Sequence, residues 1–128
     1  MLQSIAWVMR TLPPLLPLLS LIAIGACAAL PNPPREDGSA RLGEPTRVDR
    51  FTVRPTAVVE DSRCPENARC IVAGRLVVRT TVNGKSRNLE LGKPDVSGII
   101  LDSAEPAKRT DRRILPGAWR FHFSPLAR

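Results

Sequence analysis

The chain has 128 residues, a formal net charge of +7, 13 prolines, 3 cysteines and a single histidine. One small domain is the expectation at this length. The basic excess suits contact with anionic lipid or polysaccharide, while the interspersed acids describe an ordinary solvated surface equally well. Nucleic acid is a poor partner for a chain with the export features described next.

Residues 1–26 read as a signal peptide. No charge occurs from Thr11 to Pro34, and Leu15–Ala26 forms an apolar centre of signal-peptide length. A spanning helix needs about 20 apolar residues, and Pro13, Pro14 and Pro17 oppose one. Met9-Arg10 ahead of Thr11 makes a compact charged start, so translation from Met9 is an alternative to Met1.

The segment ends in Ile24-Gly25-Ala26-Cys27, which resembles a bacterial lipobox: an aliphatic residue, two small residues and a cysteine. The resemblance implies a diacylglycerol on the Cys27 thiol and cleavage just before it. Several acyl chains at about 0.8 kcal/mol per buried CH₂ make such attachment effectively permanent. Gly25 is a less common residue at its place. Ala28, where an Asp would signal retention in the inner membrane, points to the outer membrane facing the periplasm in a Gram-negative cell.

Residues 27–45 read as the lipidated cysteine and a tether. Ala28–Pro45 has four prolines, two glycines, mixed charge and no apolar period. The domain is expected at 46–128. Phe51, Val53, Ala57 and Val59 share one parity, interrupted by Pro55, which suggests an edge position or a bulge. A hairpin follows. Leu76, Val78, Thr80 and Val82 alternate along one strand, Asn83-Gly84 suits a type I′ turn, and the return through Lys85 sets Val78 against Leu89 and Leu76 against Leu91. Ile99–Leu101 is another strand, Ser103–Gly117 a loop, and Trp119–Phe123 a last strand with Trp119, Phe121 and Phe123 on one face. The class is all-β: a small β-sandwich, immunoglobulin-like or similar, or a partly open barrel.

Cys64 and Cys70 remain once Cys27 takes lipid. An even pair in an oxidising compartment predicts a disulfide. A metal site is the competing reading, but two thiols need further ligands and His122 is the only histidine. Pro65–Ala68 suits a short helical turn that Ser62 could cap.

Glu60-Asp61-Ser62-Arg63-Cys64-Pro65 and Cys70-Ile71-Val72-Ala73-Gly74 are similar to a box found in a family of small bacterial envelope proteins of unassigned function. The likeness covers Thr46–Phe123. It implies a β-sandwich and no activity. Val72 departs from the box, where Trp is usual, and Trp119 or Phe121 would fill the vacated core volume.

Two roles are open for the box. Asp61 and Arg63 form a structural charged pair, or Asp61, Arg63, Glu66 and Arg69 make a recognition loop displayed by the disulfide at low entropic cost. His122, beside Arg120 and close to Ser124, is weak evidence for nucleophilic chemistry, which needs a base oriented by a third group. Glu60 and Asp61, adjacent on a strand, point to opposite faces. The expectation is therefore no enzyme, no cofactor and no metal. The favoured function is binding or scaffolding at the envelope. An inhibitor-like or recognition module is the alternative, and an envelope enzyme without short motifs the remote one.

Overall fold

The computed structural model describes residues 30–127. The expected signal segment 1–26 and the lipidation residue Cys27 lie outside the described residues. Among the described residues, no helix is long and apolar enough to cross a membrane.

Seven strands follow in chain order: β1 (Ser39–Ala40), β2 (Thr46–Val48), β3 (Phe51–Asp61), β4 (Leu76–Val82), β5 (Lys85–Glu90), β6 (Ile99–Glu105) and β7 (Arg120–Pro125). They form two open antiparallel sheets, ordered β2-β3-β4-β5 and β1-β7-β6. The architecture is a small β-sandwich rather than a closed barrel. Val53, Leu76, Val78, Val82 and Leu89 from the larger sheet meet Ile99, Leu101, Phe121 and Phe123 from the smaller one in a single core.

The hairpin has the register that its turn dictates. Asn83 and Gly84 take φ of 47° and 79°, as a type I′ turn requires. Val82 then faces Lys85 and Val78 faces Leu89. The Asn83 N–H donates to the Thr52 carbonyl at 2.9 Å, and the Thr52 N–H donates to Asn83 Oδ1 at 2.9 Å. The turn is thereby fastened to β3.

Strand β3 departs from the single parity expected of it. Register shifts fall between Pro55 and Ala57 and between Val58 and Glu60. Each inserts a residue and reverses which side chains face inward. Val58 packs against the core, whereas Val59 is exposed. Pro55 marks a bulge, as its sequence suggests, but its strand is interior to the sheet. Beyond the second bulge Asp61 stands opposite buried Leu76. The bulges thus deliver a carboxylate to the inner rim of the sandwich.

Two further expectations are corrected. Residues 35–45 are part of the domain rather than tether. Ser39 and Ala40 pair with His122 and Phe121, and Ala40 is buried. Arg35 donates to the Pro45 carbonyl at 3.1 Å and accepts from the Arg47 N–H at 2.6 Å. Gly38 permits the close approach: at φ 75°, a Cβ there would collide with the Phe123 carbonyl oxygen. The folded unit therefore starts near Arg35, not at Thr46. Strand β6 also outruns Ile99–Leu101. Ser103, Ala104 and Glu105 continue it against His122, Phe121 and Arg120, because β7 offers backbone partners over that length.

Candidate functional site

The segment 62–75, between β3 and β4, closes on itself at the neck. The Ser62 N–H donates to the Arg75 carbonyl at 2.9 Å, and the Arg75 N–H donates to Ser62 Oγ at 3.0 Å. Gly74 allows this crossing, since a Cβ there would overlap the Ser62 carbonyl. Ser62 is thus a neck residue and does not cap the turn after Pro65. That turn does form, with Ala68 N–H donating to the Pro65 carbonyl at 3.0 Å. Within the loop Cys64 and Cys70 are joined by a disulfide, their Cα atoms 5.8 Å apart. The bond consumes both thiols that a metal site would need.

Asp61 and Arg63 hold this loop to the sheet. Arg63 Nε and Nη2 donate to the two Asp61 carboxylate oxygens at 2.7 and 2.9 Å. Both side chains are largely buried, at 16% and 15% exposure. The guanidinium carbon lies 5.3 Å from the Trp119 ring centroid, a cation–π arrangement. Arg63 also reaches the carbonyls of Ala104 and Pro106 at 3.4 Å each, and Lys108 Nζ donates to the Asp61 carbonyl at 2.6 Å. Burial pushes the Asp61 carboxyl up; the Arg63 hydrogen bonds and charge, with Lys108, outweigh it and hold the group below its ordinary value. The pair therefore fastens the disulfide loop to the connection between β6 and β7.

Glu66 and Arg69 sit farther out. The Glu66 N–H donates to the Lys108 carbonyl at 2.8 Å, and its carboxylate lies 3.7 Å from Arg109. Asn67 Nδ2 donates to Thr110 Oγ1 at 2.8 Å, and the Thr110 N–H donates to Asn67 Oδ1 at 3.0 Å. The two loops are thereby stitched into one surface. Arg69 is exposed. Of the four recognition candidates, then, Asp61 and Arg63 are spent internally, Glu66 is partly engaged, and Arg69 faces solvent.

Sequence reasoning missed Ile71 and Val72, which are 104% and 77% exposed. Two apolar residues after Cys70 look like the start of a strand, yet β4 begins only at Leu76. Val72 therefore vacates no core volume, and Trp119 packs beneath Arg63.

A concavity of about 440 Å³ lies beside β1 and is lined in part by Arg35, Arg41, Arg120 and His122. His122 Nδ1 is 3.2 Å from Asp102 Oδ2, and Nε2 is 3.1 Å from the Asp37 carbonyl oxygen. Both ring nitrogens thus face acceptors. The imidazole thus links Asp102 on β6 to the N-terminal segment at Asp37, and the Asp102 carboxylate is a partner for Nδ1 that sequence distance hid.

Comparison with family models, curated proteins and solved structures finds no match for this chain.

Proposed function

We propose that this protein is a lipid-anchored component of the bacterial cell envelope, whose disulfide-stapled β domain binds or scaffolds another envelope component. The carrying observation is cysteine use. Ile24-Gly25-Ala26-Cys27 ends an uncharged apolar segment, and pairing of Cys64 with Cys70 leaves Cys27 as the remaining thiol. A disulfide also suits an oxidising compartment. Ala28 supports the outer membrane of a Gram-negative host. The reading assigns no enzymatic role and needs no cofactor or metal. Metabolic labelling with radioactive palmitate tests it: the wild-type chain takes label and Cys27→Ser does not. Label on neither contradicts the anchor.

The second reading is a recognition module displaying the Cys64–Cys70 loop. Exposed Arg69, Ile71 and Val72 on a braced loop support it. Crosslinking in whole cells with Arg69→Ala and Ile71→Ser tests it. An unchanged set of crosslinked proteins contradicts it.

A further inference from the structure

We propose that the end of the sandwich formed by the loop 62–75 and the connection 106–119 docks shallowly on an anionic phospholipid surface. Ile71 and Val72 enter the headgroup region, and Arg69, Arg112 and Arg113 meet lipid phosphates. The proposal deepens the lipid-anchor reading and rests on it for keeping the domain at the membrane.

Apolar exposure comes first. Ile71 and Val72 are neighbours at 104% and 77% exposure, and Leu115 is 65% exposed on the adjoining connection. Isolated exposed apolar residues need no explanation. Here, however, they share one end, on segments braced by a disulfide and by the Asn67–Thr110 hydrogen bonds. A braced tip loses little conformational entropy on insertion.

Charge is the second observation. The two segments carry seven cationic side chains and two carboxylates of their own, and the adjoining Asp61 and Glu60 pair with Arg63 and Arg75. The carboxylates, Glu66 and Asp111, both lie against Arg109. Arg69, Arg112 and Arg113 make no ion pair among the described residues. Cations around a small apolar tip match the headgroup and acyl boundary of an anionic bilayer. A fluid surface also requires no shaped pocket of its partner.

The third observation is chain direction. Strand β3 runs toward this end, and β2 runs antiparallel to it. Arg35 bridges Thr46 in parallel, so the chain arrives at Arg35 from the side of the disulfide loop. Asn32 and Pro33 accordingly lie beside Glu44 and Pro45, which precede Thr46. From Cys27 to Arg35 the chain reaches at most roughly 28 Å. Arg35 itself lies level with Val53 and Val82, near the β4–β5 turn, so an anchor on Cys27 permits this end to reach the bilayer without fixing it there.

The test uses the mature lipidated protein in vesicles of phosphatidylethanolamine and phosphatidylglycerol, with Val72→Trp as reporter and Asn88→Trp on β5 as control. Difference spectra remove the buried Trp119 background, and an unchanged melting temperature verifies folding. The expected result is blue-shifted emission from position 72 and quenching by brominated lipid at least threefold above position 88. Replacing Arg69, Arg112 and Arg113 by Gln, or using phosphatidylcholine alone, should cut that quenching severalfold. Water-like emission and no excess quenching at position 72, in protein that floats with the vesicles, overturns docking while leaving the anchor intact. Absence of an acyl chain on protein purified from its host membrane overturns the anchor, and quenching at position 72 of that unacylated protein still upholds docking.

Discussion

Arg63 lies between Asp61 and Trp119: its guanidinium grips the carboxylate at 2.7 and 2.9 Å and sits 5.3 Å from the indole centroid. Three separate segments converge there, namely the end of β3, the disulfide loop and the approach to β7. The bulges in β3 turn the Asp61 carboxylate toward the sandwich rim, where only a paired charge is tolerable.

Arg63→Ala should therefore lower stability by about 2–4 kcal/mol, since it strands a largely buried carboxylate. Arg63→Lys should recover little, because an ammonium cannot reproduce the two-pronged contact or stack on the ring. Urea unfolding of both variants checks this. Full recovery by Lys would show that charge alone matters.

The disulfide closes a short loop, with a sequence separation of 6. Loop entropy assigns it about 2 kcal/mol, or a fall in melting temperature of roughly 10 °C in Cys64→Ser. Calorimetry on the oxidised wild type and the variant measures it. Equal melting temperatures would mean that the neck hydrogen bonds and the Asp61–Arg63 pair already fix the loop.

Acid should destabilise the fold through two carboxylates. Asp61 and Asp95 both sit below the ordinary aspartate value of 3.8 in the folded protein. At Asp95 burial pushes upward, but hydrogen bonds from the Ser97 hydroxyl and from the N–H groups of Ile99 and Ser97, with the Arg87 charge, outweigh it. A depressed folded pKa contributes stability that is fully present above the unfolded value and is lost as pH falls through the folded one. The melting temperature should stay level down to about pH 5 and drop below about pH 4. Combining Asp61→Asn with Asp95→Asn should flatten that drop. An unchanged slope in the double variant would assign acid sensitivity elsewhere.

Gly74 crosses the Ser62 carbonyl too closely for any side chain. Gly74→Ala should cost about 1–3 kcal/mol by forcing backbone to move, whereas Gly117→Ala, with nothing within 4 Å of its Cβ, should be nearly silent. Comparing the two by thermal melts separates steric need from general glycine loss.

Legibility followed the locality of the physics. The β4–β5 hairpin was readable because Asn83-Gly84 sets the register and the apolar alternation agrees with it. The alternation of Trp119, Phe121 and Phe123 was readable for the same reason. The bulges in β3 were not, since nothing in Val58-Val59 says which valine faces inward. Arg35–Pro45 resembles a tether because its place in the fold rests on backbone pairing, on two small buried residues, Gly38 and Ala40, and on half-buried Leu42. None of these leaves a periodic signal. The Asp61–Arg63 pair was visible as neighbours. Its partners Lys108 and Trp119 were hidden by sequence distance, and the exposure of Ile71 and Val72 ran against their apolar character.

The proposed molecule is a folded, disulfide-braced domain hung from Cys27. Intact-mass spectrometry of the protein extracted from its host membrane tests it most directly. The expected species is a chain beginning at Cys27, bearing diacylglycerol on that residue, with Cys64 and Cys70 oxidised. A chain with an unmodified Cys27 thiol, or one still carrying residues 1–26, would contradict it.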